Sequence, residues 1–126
     1  MSKGRILFVE DDMDTYKLVQ FVMERSGYEI FLAATGRDGV SAAIKQQPDL
    51  ILMDLLLPEM DGWSATAEIR SNLVTANIPV IALTAHAQAG DRKRALDAGC
   101  DDYLIKPIDM AELLRIVDQA LQRRFS

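Results

Sequence analysis

The chain has 126 residues, 49% of them apolar and 26% charged, a composition that fits one globular domain and excludes disordered and collagen-like classes. The formal net charge of −5 argues against a nucleic-acid surface, because phosphate backbones are bound by clustered Lys and Arg side chains. With one cysteine, Cys100, no signal sequence and no apolar run long enough to span a membrane, the chain is expected to reside in the reducing cytoplasm.

Five short apolar segments predict β-strands that are buried on both faces. In chain order these segments are residues 5–9, 28–33, 50–53, 80–83 and 103–105. Apolar residues recur with helical spacing between and after them, in residues 18–23, 40–44, 63–70, 91–98 and 113–121. Strand and helix are therefore expected to alternate five times.

Glycine and proline mark the ends of these elements. Gly27 and Gly99 follow predicted helices, where a left-handed residue commonly closes the last turn. Pro48 and Pro79 each lie shortly before a predicted strand. This alternation predicts an α/β fold for residues 1–126, one doubly wound domain with a parallel sheet and helices on both faces. In such sheets the functional crevice lies at the carboxyl ends of the strands.

Polar side chains stand at the carboxyl ends of four of the five predicted strands. They are Glu10, Asp11 and Asp12 after the first strand, Asp54 at the third, Thr84 at the fourth and Lys106 after the fifth. Because the carboxyl ends of parallel strands share one edge, we expect the carboxylates, the hydroxyl and the ammonium group to converge there.

Carboxylates that are packed together repel one another, and each resists ionisation unless a cation lies among them. Oxygen ligands that leave room for water and a phosphate oxygen suit Mg²⁺, with Mn²⁺ as a substitute, whereas zinc would lack Cys and His ligands. The alternative is that residues 10–12 form a solvated loop that caps the next helix. In either case Asp12 or Asp14 is a candidate capping residue.

Asp54 is the candidate nucleophile of this edge, because a carboxylate can accept a phosphoryl group and form an acyl phosphate. Phosphoryl transfer requires little beyond positioning and neutralisation of charge. Mg²⁺ and Lys106 would neutralise the phosphoryl oxygens, and the Thr84 hydroxyl would donate to one of them.

The motifs at these strand ends resemble those of the receiver domains of two-component response regulators, and the resemblance covers essentially the whole chain. They are ILFVEDD, DLILMDLLLPEMDG, PVIALTA and AGCDDYLIKP. The resemblance implies a flavodoxin-like (βα)₅ fold with strand order 2-1-3-4-5.

The resemblance also implies a role for each matching residue. Asp54 would be phosphorylated from a phosphohistidine on a sensor histidine kinase or a histidine phosphotransfer protein. Glu10, Asp11 and Asp54 would bind the metal ion, together with the backbone carbonyl of Leu56. The protein would then be no conventional enzyme, because it would catalyse only its own phosphorylation and dephosphorylation.

Three further residues take roles from the resemblance. Thr84 and Tyr103 would form a switch pair, in which the hydroxyl moves toward the phosphoryl group and the aromatic ring turns inward. Lys106 would contact the phosphoryl group, and its bond to Pro107 would be cis. Because the chain ends soon after the fifth predicted helix, we expect a single-domain regulator whose output is binding to a downstream protein or phosphorelay, without nucleic acid or membrane as a partner.

The resemblance also implies that two positions, which vary among receiver domains, influence how easily water attacks the acyl phosphate. They are Leu56, whose apolar side chain cannot orient an attacking water, and His86, which is otherwise an ordinary surface histidine. The phosphoryl group is expected to bias residues 84–91 and the face that carries Tyr103.

Three other functions compete with this interpretation. A haloacid-dehalogenase-like phosphatase would use Asp12 and Asp14, but the chain has no room for a cap domain. A receiver-like binding module that is not phosphorylated would not need the side chains required for phosphorylation, all of which are present in this chain. A flavin site would need a loop rich in Gly, Ser and Thr after the first strand, where this chain is acidic.

Overall fold

Five parallel strands form a central sheet, flanked by helices on both faces. The structure is a computed structural model that describes residues 2–85 and 90–125. The strands are β1 (Arg5–Val9), β2 (Glu29–Ala33), β3 (Leu50–Asp54), β4 (Val80–Thr84) and β5 (Asp102–Ile105). Their order is β2-β1-β3-β4-β5, which confirms the expected α/β fold and topology.

The three central strands are nearly continuous apolar runs because both of their faces are covered. Every residue of β3 and β4 is buried, whereas β2 and β5, at the edges of the sheet, have exposed or half-buried positions. The predicted start of the second strand is one residue early. Tyr28 lies just before β2 and is not part of the strand. Its hydroxyl donates a hydrogen bond to the Asp118 carboxylate.

Five helices connect and follow the strands. They are α1 (Met13–Arg25), α2 (Gly36–Gln46), α3 (Gly62–Ser71), α4 (Asp91–Asp97) and α5 (Met110–Phe125). Alternate residues of each central strand point to opposite faces, so the sheet separates two apolar clusters. One cluster packs α1 and α5 against the sheet, and the other packs α2, α3 and α4 against it.

The helix ends follow the expected chemistry. Gly27 and Gly99 have φ angles of 97° and 111°, as predicted for residues that close a helix in the left-handed region. Asp12 is the N-cap of α1, because one of its carboxylate oxygens accepts from the Asp14 N–H and the other from the Thr15 hydroxyl.

His86 lies outside the described residues. Within the described ranges, no helix is both long and apolar enough to cross a membrane.

Candidate functional site

Asp54 is the last residue of β3 and lies at the centre of the carboxyl edge of the sheet. Its side chain is only 6% exposed. One carboxylate oxygen, Oδ1, accepts a hydrogen bond of 3.1 Å from the backbone N–H of Leu56. The other, Oδ2, lies 3.1 Å from the Lys106 ammonium nitrogen. Asp54 is therefore held by a backbone donor on one side and a charged donor on the other.

Lys106 follows β5 and spans the site from the edge of the sheet. Its backbone N–H donates to the Thr84 carbonyl over 2.7 Å, which fixes the start of the side chain, and its bond to Pro107 is cis. Its ammonium group lies 2.7 Å from Glu10 Oε1, in addition to its contact with Asp54. Burial alone would lower the pKa of Lys106, but the hydrogen bond to Glu10 and the charge of Asp54 raise it above its ordinary value.

Glu10 comes directly after β1 and is completely buried. Burial, the main cause, and the hydrogen bond and charge of Asp54 raise the pKa of Glu10 from 4.5 to about 7, against the opposing effect of Lys106. Its second oxygen, Oε2, accepts from the backbone N–H of Asp12 over 3.3 Å. A cation close to the Glu10 oxygens would therefore stabilise the ionised form of this carboxyl group.

Glu10, Asp11 and Asp54 form a compact acidic cluster. Each offers one carboxylate oxygen, and the three oxygens lie within 4.8 Å of one another. Glu10 and Asp54 are buried, whereas Asp11 is exposed, so the cluster opens to solvent on one side. Three hard oxygen ligands without thiolate or imidazole fit a cation such as Mg²⁺, which retains several water molecules when bound.

Thr84 and Tyr103 lie on neighbouring strands. Thr84 ends β4 and is buried, with its carbonyl bound to Lys106 as described above. Tyr103 pairs with Ala82, and the residue is 7% exposed and belongs to the apolar cluster between the sheet and α2, α3 and α4. Burial and the nearby charge of Asp91 raise the pKa of Tyr103. In this conformation the aromatic ring is already turned inward.

The predicted convergence is thus observed for four of the proposed site residues. Glu10, Asp11 and Asp54 are clustered, and Lys106 contacts two of them. Asp12 is not in the acidic cluster, since both its carboxylate oxygens cap α1. The sequence alone did not predict the Lys106–Glu10 ion pair or the Leu56 N–H bond, because neither the reach of a lysine nor the direction of a loop amide is visible in periodicity.

Comparison with known proteins agrees with this geometry. Residues 6–118 match the family model described as the response regulator receiver domain. The chain is 40% identical over 119 residues to an uncharacterised 14.6 kDa protein of Leptolyngbya boryana, covering 94% of this chain and 91% of that protein. It is 42% identical over 119 residues to the DNA-binding dual master transcriptional regulator RpaA of Synechocystis, covering 94% of this chain and 49% of that protein.

A solved structure extends the comparison to the fold. The receiver domain of the sensor histidine kinase PA1611 from Pseudomonas aeruginosa is 43% identical, with a TM-score of 0.88 and coverage of 94% of this chain and 98% of that one. That crystal structure has a magnesium ion coordinated in its active site cleft. The chain spans about half the length of most curated relatives it matches. Sequence, fold and acidic cluster agree, and the chain belongs to the receiver domains of two-component response regulators.

Proposed function

We propose that this receiver domain accepts a phosphoryl group from a phosphohistidine onto Asp54 and thereby changes a surface that binds a partner protein. One observation carries the proposal: the buried Asp54 carboxylate lies beside those of Glu10 and Asp11 and 3.1 Å from the Lys106 ammonium group. Such a carboxylate is held in place, and Lys106, together with a cation held by the acidic cluster, could neutralise the charge of an incoming phosphoryl group.

The acidic cluster fits the divalent cation that this reaction requires. Glu10, Asp11 and Asp54 would hold Mg²⁺ or Mn²⁺, together with the backbone carbonyl of Leu56. The bound cation would neutralise negative charge on the phosphoryl oxygens. The magnesium in the related Pseudomonas receiver domain supports this assignment.

Asp54 supplies the nucleophile. One of its carboxylate oxygens attacks phosphorus while the bond between phosphorus and the donor imidazole nitrogen breaks, and the electron pair of that bond stays with the imidazole. The Leu56 N–H fixes the orientation of the carboxylate through Oδ1. Lys106, already 3.1 Å from Oδ2, binds a phosphoryl oxygen after the transfer, and the Thr84 hydroxyl donates to another.

The signal leaves the site through Thr84 and Tyr103. Movement of the hydroxyl toward the phosphoryl group favours the buried position of the Tyr103 ring, and this pair biases the face formed by α4 and β5. We further propose that residues 1–126 act as one receiver domain in the cytoplasm. Its donor is a sensor histidine kinase or a histidine phosphotransfer protein, and its output is binding to a downstream protein or phosphorelay.

Incubation with acetyl phosphate and Mg²⁺, followed by intact-mass analysis and peptide mapping, tests the proposal. We expect a gain of one phosphoryl group on Asp54, which is lost in Asp54→Asn and in EDTA and is much reduced in Lys106→Met. Asp38→Asn, a change at an exposed carboxylate on α2, is the matched control and should label normally.

Two outcomes would contradict the proposal. One is a phosphoryl group that is still gained by Asp54→Asn. The other is steady release of inorganic phosphate that depends on Asp12, as the phosphatase alternative requires. The capping bonds that occupy both Asp12 oxygens argue against the second outcome.

A further inference from the structure

Helix α4 is short and mostly exposed. It contains seven residues, Asp91–Asp97, and only Ala95 among them is buried. Its N-cap is Gly90, which offers no side-chain hydrogen bond to the first turn. A helix this short has little stability of its own, so its position depends on the few side chains that fix it to its neighbours.

One of these side chains is Arg94, which lies over the ring of Trp63 on α3. The guanidinium carbon is 3.9 Å from the ring centroid, close enough for direct stacking as well as cation–π attraction. Lys93, the basic residue before it, instead pairs with Asp97 of the same helix. The Trp63–Arg94 contact therefore joins α4 to α3 through side chains.

Helix α3, which carries Trp63 near its start, begins in close contact with the end of β3. The preceding residue, Gly62, donates its N–H to the Leu55 carbonyl over 3.0 Å. A Cβ at Gly62 would lie 2.4 Å from the Asp54 carbonyl oxygen, so the start of α3 is pressed against the end of β3. The start of α3 is thus set by the backbone beside Asp54, and the Trp63–Arg94 contact connects α4 to this helix.

Trp63 also packs against the apolar cluster that contains Tyr103 and Ala95. Its indole N–H is buried and has no hydrogen-bond partner within residues 2–85 and 90–125. The guanidinium that covers this indole therefore holds α4 beside the cluster that contains Tyr103.

We propose that Trp63 and Arg94 form a latch that holds α4 against α3 and favours the conformation in which the Tyr103 ring is buried. The inference rests on the proposed function, in which the buried ring accompanies the phosphoryl group on Asp54. The latch increases the population of the binding-competent state, and removing it weakens the apparent affinity for a phosphoryl mimic by the population that is lost.

Trp63 is the only tryptophan of the chain, so its fluorescence reports on the latch directly. The first measurement uses the full chain without metal or phosphoryl mimic and compares acrylamide quenching in the wild type, Arg94→Ala and Lys93→Ala. We expect quenching to increase markedly in Arg94→Ala, because the indole loses its cover, and to stay unchanged in Lys93→Ala. Equal quenching in all three proteins would overturn the proposal.

The second measurement titrates the same proteins with beryllofluoride in Mg²⁺ and follows binding by fluorine NMR. Arg94→Ala should bind about two- to tenfold more weakly than Lys93→Ala, which loses the same charge from the same helix. Arg94→Lys should fall between them, because it retains the cation and loses the planar stacking. Equal affinities for Arg94→Ala and Lys93→Ala would overturn the latch and leave the proposed function standing. A wild-type chain that binds no beryllofluoride would overturn the proposed function itself.

Discussion

At the scale of single residues, Glu10 has the environment least like that of a solvated side chain. It is completely buried, it faces the like charge of Asp54, and its one described cationic partner is Lys106. These opposing effects leave the pKa of Glu10 at about 7. The carboxyl group is then partly protonated near neutral pH when no metal ion is bound, and folding and protonation become linked.

This linkage predicts a pH-dependent difference between the wild type and Glu10→Gln in EDTA. Between pH 4.5 and about 7 the folded chain retains a proton on Glu10 that the unfolded chain has lost, so Glu10 makes the free energy of unfolding fall as the pH rises. Glu10→Gln removes this contribution. Between pH 5 and pH 7.5, the free energy of unfolding of the variant should therefore rise by about 1 to 3 kcal/mol relative to that of the wild type. Urea unfolding of both proteins at both pH values measures this change. The prediction would be contradicted if the free energies of unfolding of the wild type and the variant differed by the same amount at both pH values.

Leu56 should control the lifetime of the phosphoform. Its backbone N–H donates to Asp54, the residue is 44% exposed, and its apolar side chain offers water no hydrogen bond. We expect the phosphoform of Leu56→Asn to decay several-fold faster, because an amide can orient an attacking water. Decay after removal of acetyl phosphate measures this. Leu73→Asn, at a leucine that is 95% exposed in the loop after α3, is the control, and equal decay of all three proteins would refute the expectation.

At the scale of elements, the connection from β3 to α3 depends on close backbone contact. A Cβ at Gly62 would lie 2.4 Å from the Asp54 carbonyl oxygen and 2.6 Å from the Leu55 Cα. Both neighbours are backbone atoms, which cannot move away as the end of a side chain can. This contact explains why the loop returns directly to the sheet beside Asp54.

Gly62→Ala should therefore destabilise the fold by about 2 to 3 kcal/mol, in the range found when atoms are forced into a packed interior. Gly4→Ala is the matched control, because its Cβ would first meet the end of the Leu121 side chain, at 3.2 Å, and that side chain can adjust. Chemical denaturation of both variants measures the two costs. Similar small losses for Gly62→Ala and Gly4→Ala would show that the loop yields more easily than its geometry implies.

The same elements show what a sequence can predict. Apolar runs and helical spacing identified all ten elements of the part of the chain that the structure describes, because burial on both faces of a parallel sheet leaves a strong pattern. That pattern also predicted that Glu10 and Asp54 lie at one edge of the sheet. It could not predict that Lys106 reaches past β4 and β3 to Glu10, nor that Arg94 covers Trp63. Both contacts depend on long, flexible side chains, whose direction is set by tertiary packing rather than by spacing along the chain.

At the scale of the whole molecule, the fold concentrates negative charge at one edge of the sheet. The chain has a formal net charge of −5, and three of its carboxylates have oxygens within 4.8 Å of one another. The core of the sheet provides the free energy that holds these groups together against their repulsion, since unfolding would separate them. A cation that binds only the folded chain relieves this repulsion and stabilises the whole domain.

The acidic cluster predicts opposite effects of Asp11→Asn with and without Mg²⁺. In EDTA, removing the exposed charge of Asp11 relieves repulsion and should stabilise the domain by about 0.5 kcal/mol. When Mg²⁺ is present at a hundred times its dissociation constant from the wild type, the free energy of unfolding of the wild type should rise by about 2 to 3 kcal/mol. That of the variant should rise much less. Thermal unfolding with Glu24→Gln, a change at an exposed α1 carboxylate, as the control measures both effects. If Mg²⁺ stabilised Asp11→Asn as much as the wild type, Asp11 would not be a ligand, and the metal would have to bind through other groups.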